Sequence, residues 1–484
     1  MKLDFKLCER ARQLRDPRFD GRFFIAVTST GIYCRPICPA PSSKRANVRY
    51  YPTAAAAAEA GFRPCLRCRP EAAPGTPAWL GTSATVNRGL RLIAEGALDD
   101  GNVDLLAKRL GVGARHLHRL FVRHLGASPL AVAQTRRLHF AKKLLDETNL
   151  SMAEVAFAAG YGSVRRFNDS VRKTYQRTPS QLRHLRKSTA VSRNEQYEFQ
   201  LAYRPPYEWD ALLNFLAARA TPGVETVTDG VYRRSVALDG QHGVIEIGHA
   251  PQARALKLRI RFPEPAALLT IVARVRRMFD LEADPDTIVR HFRQDPLIGA
   301  LVRRHPGLRI PGAWNGFELA VRAIVGQQVT VAGASRCAGR LAERYGQPLA
   351  LADAELTRIF PVPAALATAS LDGMPAARAR AVGALAQAVA ADELRIEPDA
   401  SPELLLEQLK SIPGIGDWTA QYIAMRALGE PDALPAADLM LLRAAGNGSA
   451  LKPNQLIARA EAWRPWRAYA AMHLWHSIAS ANDL

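Results

Sequence analysis

Four of the six cysteines in this 484-residue chain lie within its first 70 residues, in two close pairs. Three residues separate Cys34 from Cys38, two separate Cys65 from Cys68, and 26 residues lie between the pairs. Two such pairs on two loops can place four thiolates tetrahedrally around Zn²⁺. The spacing therefore predicts one zinc ion, and a purely structural zinc is the main alternative to a reactive one.

A second constellation lies near the C-terminus, where the turn Pro413–Gly416 is followed, 22 residues after Gly416, by the carboxylate of Asp438. Backbone N–H groups of such a hairpin can hold a DNA phosphate without any side chain, so we expect Gly414 and Gly416 at that contact. Standing alone, Asp438 would be more typical of a helix cap or a surface carboxylate than of a catalytic group.

Between these two regions, the residues up to about position 187 follow a helix, glycine-containing turn, helix rhythm that occurs twice. The first pair is predicted over 103–110 and 114–124; the second begins near Ser151, and its second helix spans 163–175. A helical bundle with solvated arginines is the alternative. The side chains expected to contact DNA are Arg115, His118, Arg119, Arg165, Arg166 and Asn168.

The net charge of the chain is +20, from 65 Lys and Arg against 45 Asp and Glu. This balance favours a polyanionic partner, most simply nucleic acid, although a basic protein without a specific partner has the same composition. There is no run of 18 apolar residues, and the N-terminus is too charged for a signal peptide, so a cytoplasmic, nucleoid-associated protein is expected. In that reducing compartment Cys8 and Cys337, outside the paired spacing, are expected to be ordinary thiols.

Composition shifts divide the chain into four predicted domains joined by linkers at 69–85 and 186–196. The fold class is multidomain, mainly α with α+β parts. Ser401 and Pro402 predict the start of a helix that runs to about Ser411. The predicted domains are a small zinc domain (1–78), a tandem helix-turn-helix domain (84–187), a β-rich domain (197–305) and a helical helix-hairpin-helix domain (306–484).

The segments "DGRFFIAVTSTGIYCRPICPAP" and "GFRPCLRCRPE" resemble the Ada-type methylphosphotriester sensor over roughly residues 1–75. The resemblance implies that Cys34 is the methyl acceptor and that Cys38, Cys65 and Cys68 complete the zinc shell. A zinc-bound thiolate stays deprotonated and nucleophilic at neutral pH. Methylation removes one negative charge and should raise affinity for the DNA backbone, and because the thioether is inert the sulfur acts once.

"GYGS" from Gly160 and the later pattern Tyr-x-x-Thr-Pro-Ser-x-x-Arg resemble the AraC-type DNA-binding domain. That family implies a transcriptional activator that binds promoter DNA and works with RNA polymerase.

"FELAVRAIVGQQVTVAGA", "LPAADLMLLRAA" and "AWRPWRAYAAMHLWHS" resemble the AlkA-type 3-methyladenine glycosylase II branch of the helix-hairpin-helix superfamily, over about residues 197–484. The resemblance implies that Asp438 is catalytic and that Trp418, Tyr422 and Trp475 form the substrate-base pocket, for which core packing is the alternative role. Trp418 occupies the position of the lysine of strand-cutting members, so the enzyme should be monofunctional. Gln328 stands where the best-known member inserts a leucine wedge, which leaves the range of excised bases open.

The sequence thus predicts an alkylation-response protein that accepts methyl groups from DNA methylphosphotriesters, activates repair genes and excises alkylated purines. We expect a monomer that acts on double-stranded DNA and needs no organic cofactor. The alternative is a non-enzymatic DNA-binding regulator with a degenerate glycosylase half. Direct reversal of O6-alkylguanine is excluded, because the Pro-Cys-His-Arg motif of that activity is absent and Cys337 is the only cysteine after Cys68.

Overall fold

A computed structural model of the protein describes residues 3–74, 84–99, 101–185, 196–351, 353–446 and 449–482. The chain divides into two compact units, the first with residues 1–205, 250–276 and 281–283, the second with residues 206–249, 277–280 and 284–484. Most of the predicted linkers at 69–85 and 186–196 lies outside the described residues. Within the described ranges, every helix is too short or too polar to cross a membrane.

Helices account for most of the regular structure. The α-helices are α1 Phe5–Leu14, α2 Ala54–Glu59, α3 Ala84–Ala94, α4 Val103–Arg109, α5 Ala114–Leu125, α6 Pro129–Glu147, α7 Met152–Ala158, α8 Val164–Tyr175, α9 Pro179–His184, α10 Trp209–Ala217, α11 Leu268–Met278, α12 Pro285–Phe292, α13 Ile298–Arg304, α14 Gly316–Val325, α15 Val331–Tyr345, α16 Pro363–Ala367, α17 Ala376–Ala390, α18 Pro402–Ser411, α19 Asp417–Ile423, α20 Leu439–Ala445, α21 Pro453–Ala460 and α22 Arg467–Asn482. The strands are β1 Phe24–Val27, β2 Ile32–Cys34, β3 Val48–Tyr51, β4 Arg63–Pro64, β5 Gln196–Ala202, β6 Glu225–Thr228, β7 Val231–Leu238, β8 Gln241–Ala250 and β9 Ala255–Arg261.

A four-stranded sheet of order β3-β1-β2-β4 positions the N-terminal cysteines. Strand β1 is antiparallel to β2 and β3, and its apolar residues are buried. Strand β4 runs parallel to β2, with Tyr33 opposite Pro64. Because parallel strands end at the same edge, Cys34 at the end of β2 and Cys65 just after β4 lie side by side.

The two predicted helix pairs are present as α4–α5 and α7–α8, with boundaries within one residue of the predicted ones. Asn102 caps α4, and Ser151 begins α7 with a capping box to Glu154. Ser163 lies at the N-cap of α8, so the helix proper starts at Val164. Side-chain caps of this kind bond to backbone N–H groups that have no partner within the helix. Because the capping residues can be recognised in the sequence, the predicted helix starts are accurate.

The long helix α6 connects the two pairs and contacts other parts of the first unit on two faces. On one face His139 Nε2 lies 2.8 Å from the Tyr33 hydroxyl, in the strand that ends at Cys34. On the other face the rings of Phe140 and Phe199 pack with centroids 6.2 Å apart, and Lys143 Nζ donates to the Gln200 carbonyl at 2.6 Å. The helix therefore contacts both the zinc domain and strand β5.

The region predicted to be β-rich contains five strands but is helical from α11 onward, well before residue 306. Strands β6, β7 and β8 form an antiparallel meander. Its two turns are Asp-Gly pairs, Asp229-Gly230 and Asp239-Gly240, and all four residues have positive φ. This is the conformation that two-residue hairpins need and Asp-Gly supplies.

The helix-hairpin-helix predicted near the C-terminus is α18, the turn Ile412–Gly416 and α19. Ser401 occupies the N-cap position of α18, but its hydroxyl bonds to Glu403 instead of a backbone N–H. A core of buried apolar residues from α14, α15, α17, α18 and α19 packs this part of the second unit. The described architecture confirms the predicted fold class, multidomain and mainly α with α+β parts.

Candidate functional site

The four paired cysteines converge in the first unit. The Sγ atoms of Cys34, Cys38, Cys65 and Cys68 all lie within 4.8 Å of one another. A tetrahedron of sulfurs about 2.3 Å from a central ion has S–S separations of about 3.8 Å, so the cluster fits Zn²⁺ in spacing and in donor type. Among the described residues, no other group of three or more His, Cys, Asp or Glu is arranged to hold a metal.

Backbone contacts and one ion pair fix the cluster. Cys65 N donates to the Tyr33 carbonyl at 3.0 Å, and Arg35 N donates to Cys68 Sγ at 3.4 Å. The Arg35 guanidinium pairs with Asp20 and donates to the Cys68 carbonyl at 3.1 Å. Arg35 thus links the segment that carries Cys34 and Cys38 to Cys68, and Asp20 holds the Arg35 side chain in place. The cysteine spacing alone did not indicate either residue.

The four sulfurs differ in exposure and in how their neighbours shift the pKa of the thiol. Cys65 and Cys68 are buried, whereas Cys34 and Cys38 are partly exposed. A hydrogen bond with Cys34 lowers the pKa of the Cys38 thiol to about 7, and the same contact raises the pKa of Cys34. Sulfurs this close cannot all carry charge without a cation between them.

Of the remaining thiols, Cys8 and Cys337 are buried away from the cluster. Burial raises the pKa of Cys8 to about 11, as expected for an unreactive thiol.

Five of the six predicted DNA-contacting side chains on the helix pairs are exposed, and the sixth, Asn168, is half-buried. On α5, Arg119 Nη2 lies 2.9 Å from His116 Nδ1, which links two polar side chains on the exposed face. The opposite face is buried through Leu117 and Phe121. Helix α8 repeats the arrangement, so both helices present a basic face. The exposed five are Arg115, His118, Arg119, Arg165 and Arg166.

In the second unit, Asp438 caps helix α20 and also contacts two of the predicted pocket residues. Its Oδ1 accepts from the backbone N of Met440 and of Leu441, each at 3.0 Å. The indole Nε1 of Trp475 donates to Oδ1 at 3.0 Å, and that of Trp418 donates to Oδ2 at 3.0 Å. The sequence left two roles open for Asp438, a helix cap and a catalytic carboxylate. The contacts show that one does not exclude the other, because the residue caps α20 and still presents its carboxylate to Trp418 and Trp475.

The three predicted aromatic residues form one cluster around this carboxylate. Trp418 and Tyr422 are stacked, with centroids 5.4 Å apart and planes 8° apart. Trp475 meets Tyr422 edge-on at 6.3 Å. All three side chains are half-buried, and Tyr422 also packs against the apolar core of the second unit. Aromatic ring faces of this kind attract a cationic group.

Arg426 supports the aromatic cluster and was not identified from the sequence. It lies in the π-helical segment Ala424–Leu428, directly after α19, and π-helical turns are frequent at functional sites. Its Nη1 donates to the Tyr422 hydroxyl at 2.7 Å, and its Nε donates to the Pro311 carbonyl at 2.8 Å. Burial raises the pKa of Tyr422, but the nearby guanidiniums of Arg426 and Arg219 outweigh burial, so its pKa lies below the usual value.

The hairpin contacts the loop that carries Gln328. Gly414 has φ +94°, and a Cβ there would lie 2.9 Å from Ala381 Cβ, so the turn requires glycine. Gly416 is exposed, and a Cβ added there would meet no atom within 4 Å. Gln327, a residue that sequence reasoning passed over, donates through Nε2 to the Gly414 carbonyl at 2.9 Å.

Three family models match the chain in order along its length. Residues 7–71 match the metal-binding domain of Ada, residues 106–184 match a helix-turn-helix domain, and residues 198–315 match the AlkA N-terminal domain. The three matched domains agree in identity and in order with the resemblances that the sequence motifs indicated.

Among known proteins, a probable bifunctional transcriptional activator/DNA repair enzyme AlkA of Mycobacterium tuberculosis is 42% identical, over 98% of this chain and 97% of the relative. The DNA-3-methyladenine glycosylase 2 of Escherichia coli is 37% identical over 58% of this chain and 97% of its own length. A solved 3-methyladenine DNA-glycosylase from Archaeoglobus fulgidus aligns with a TM-score of 0.51 at 22% identity, covering 57% of this chain and 96% of that one, which shows a shared fold.

Proposed function

The chain belongs to the family of bifunctional transcriptional activator/DNA repair enzymes of the AlkA type, and from that premise we propose that it combines three activities. It takes a methyl group from DNA methylphosphotriesters onto Cys34, it activates transcription of repair genes, and it excises alkylated purines of the 3-methyladenine type. Double-stranded DNA is the common partner, RNA polymerase is the partner of activation, and the protein acts as a cytoplasmic monomer.

For methyl transfer, the partial exposure of Cys34 and Cys38 supports an acceptor in this pair, and the resemblance of the Cys-Arg-Pro motif to the Ada-type sensor favours Cys34. The Cys34 sulfur attacks the methyl carbon of the neutral phosphotriester, an S–C bond forms, and the C–O bond breaks with its electron pair left on the phosphate oxygen. A single Zn²⁺ held by the four sulfurs would keep the attacking thiol deprotonated.

Mass spectrometry after exposure to methylphosphotriester DNA tests this assignment. Because Arg35 precedes Pro36, trypsin leaves Cys34 and Cys38 in one peptide, so fragmentation between them must locate the methyl group. One methyl per chain on Cys34 is expected. A methyl on Cys38 would reassign the acceptor.

For base excision, the observation that carries the proposal is the Asp438 carboxylate held by the indole N–H groups of both Trp418 and Trp475. An alkylated purine is cationic and a good leaving group, and its electron-poor ring suits the stacked aromatic faces. As the glycosidic bond breaks, the sugar gains positive charge, which a fixed carboxylate beside it stabilises. The same carboxylate can orient the attacking water.

The indole of Trp418 at the lysine position offers no amine for a Schiff base, so excision leaves the strand uncut. Release of 3-methyladenine from alkylated duplex DNA, without strand cleavage, is the direct test. A chain that binds such DNA but releases no base would instead support the alternative of a non-enzymatic regulator.

For transcription, the basic faces of α5 and α8 are proposed to enter successive major grooves. Phosphate contacts make binding fall steeply with salt, while base contacts set sequence preference. Replacing Arg165 with alanine should therefore weaken promoter binding more than replacing Asp169, an exposed residue of the same helix. Equal effects of the two substitutions would argue against α8 as a reading helix.

A further inference from the structure

A cluster of charged side chains joins the end of the zinc domain to helix α6. The cluster, which we call the clasp, combines three basic and three acidic residues, so its charges balance. Its members are Arg69, Glu71, Lys142, Lys143, Asp146 and Glu147. The first two follow Cys68 in the sequence, and the other four lie in the last two turns of α6.

Arg69 bridges the two acidic residues of α6. Its Nη2 lies 2.8 Å from Asp146 Oδ2 and 3.4 Å from Glu147 Oε1, and its Nε donates to Glu71 Oε1 at 3.4 Å. Lys142 is buried, and its Nζ donates to the two Asp146 oxygens at 2.6 and 2.5 Å. Loss of one member would leave an opposite charge in this buried cluster without its partner, which is strongly destabilising.

The other end of the clasp holds strand β5, the first strand of the region that matches the AlkA N-terminal domain. Lys143 Nζ lies 3.0 Å from Glu147 Oε2 and donates to the Gln200 carbonyl at 2.6 Å. Glu147 Oε2 in turn accepts from the Gln200 N at 3.4 Å. Both backbone polar groups of Gln200 are therefore bonded to the clasp, and a continuous chain of polar contacts runs from Arg69 to β5.

The position of Arg69 depends on the turn that carries Cys65 and Cys68. Arg69 has a φ of +52°, which residues other than glycine rarely adopt, and its N donates to the Cys65 carbonyl at 3.1 Å. Zn²⁺ bound by both cysteines would close this turn, whereas thiolates this close repel one another without a cation. Removal of zinc should therefore release Arg69 and leave the two acidic residues of α6 without it.

Helix α6 also contacts the chain beside the first metal ligand. The hydroxyl of Tyr33, the buried residue before Cys34, lies 2.8 Å from His139 Nε2. His139 is two helical turns before Asp146, which pairs with Arg69. The C-terminal half of α6 is therefore held next to the first and the last of the four cysteines.

We propose that the clasp couples zinc binding by the four cysteines to the docking of strand β5 on α6. In the zinc-loaded chain the clasp is complete and holds β5; in the zinc-free chain Arg69 is released and β5 detaches more often. The first strand of the glycosylase half thereby responds to the metal state of the sensor. The inference rests on the proposed zinc site and requires neither methyl transfer nor base excision.

Zinc affinity tests the coupling from the β5 end of the clasp. Because coupling is reciprocal, Lys143→Gln, which removes the bonds to Glu147 and to the Gln200 carbonyl, should weaken zinc binding by the full chain about tenfold. Competition with a chromogenic chelator measures the affinity. Lys108→Gln is the matched control, because Lys108 is an exposed lysine of α4 outside the clasp, and it should keep the wild-type affinity.

Hydrogen exchange tests the coupling from the metal end. Removal of zinc from the full chain should make peptides that cover residues 196–202 exchange about tenfold faster, while peptides from β7, in the second unit, stay unchanged. In Arg69→Gln the β5 peptides should exchange fast even with zinc bound, and zinc removal should add little. Lys143→Gln should behave in the same way, which keeps the test valid if Arg69→Gln folds poorly.

Zinc affinity that is unchanged in both clasp variants, or β5 exchange that does not respond to zinc removal, would overturn the proposal. The zinc content of the same samples is measured in parallel. A chain that binds one zinc without these effects rejects the coupling alone. A chain that binds no zinc rejects the proposed metal site as well, so the two failures are distinguishable.

Discussion

Replacing Asp438 with asparagine is expected to change more than one charge. Oδ1 of the carboxylate accepts from the backbone of Met440 and Leu441 and from Trp475, whereas Oδ2 accepts, among the described residues, only from Trp418. Asparagine turns one oxygen into an N–H₂ donor. The orientation that keeps most bonds leaves oxygen facing the three donors and places the N–H₂ against the Trp418 indole N–H.

Two losses follow from that orientation. The transition state loses its fixed negative charge, which typically costs 100- to 1000-fold in rate, about 3 to 4 kcal/mol. The folded state loses a hydrogen bond to a charged acceptor, about 1.5 to 3 kcal/mol, and sets two donors against each other. Because Trp418 is stacked on Tyr422, displacement of its indole should also weaken binding of the damaged base.

A double-mutant cycle with Trp418→Phe tests this reasoning, because phenylalanine keeps a ring and removes the N–H. In the double variant, Asp438→Asn with Trp418→Phe, the loss of unfolding free energy of the second unit should be about 1 kcal/mol smaller than the sum of the losses in the two single variants. Urea unfolding followed by tryptophan fluorescence suits the measurement, since six of the seven tryptophans lie in residues 206–484. Single-turnover release of 3-methyladenine should stay depressed in the double variant.

Two results would refute the reasoning. Excision by Asp438→Asn within tenfold of wild type would mean that the charge of this carboxylate is not required. Strictly additive stability losses would mean that the asparagine amide does not oppose the indole.

Four further outcomes are expected. Changing Cys65 and Cys68 to serine should reduce zinc in the purified, reduced protein from one ion per chain to none, and metal analysis that finds zinc retained would contradict the cluster. Methylation of Cys34 should tighten specific DNA binding about fivefold at fixed salt by removing one like charge, and Cys34→Ala should show no response. Borohydride should trap no enzyme–DNA adduct, since Trp418 replaces the amine; a trapped adduct would reveal an unrecognised nucleophile. Burial lowers the pKa of His473 to about 3, so unfolding free energy should fall as pH drops from 6.5 towards 3, by up to about 1.4 kcal/mol per pH unit, because the unfolded state takes up the proton first. His473→Gln should flatten that slope in acid titrations, and an unchanged slope would exclude His473 as its source.

Local signals predicted the helix starts and the metal cluster well. Capping residues such as Ser151 and Ser163 and the paired cysteine spacing act over a few residues, so they can be read without knowing the fold. Ser401 shows the limit of that approach, because its hydroxyl bonds to the Glu403 carboxylate although its position is right.

The supporting residues could not be predicted because they act across long sequence separations. Arg426 bonds to carbonyls more than 100 positions earlier, and Gln327 reaches the hairpin 87 positions later. The π-helical turn that aims Arg426 leaves no compositional trace. Strand alternation likewise indicated β structure from 197 onward but did not reveal that helix α11 begins at Leu268, because apolar runs suit either element.

Helix α6 has a consequence for how this chain can be divided. A fragment ending near residue 185 would contain the zinc cluster and both helix pairs, but Phe140 would lose its partner Phe199 and Lys143 would lose the Gln200 carbonyl. Such a fragment exposes an apolar ring on the helix that also holds Tyr33 through His139. A fragment that keeps these contacts of α6 must therefore extend through strand β5, at least to Ala202.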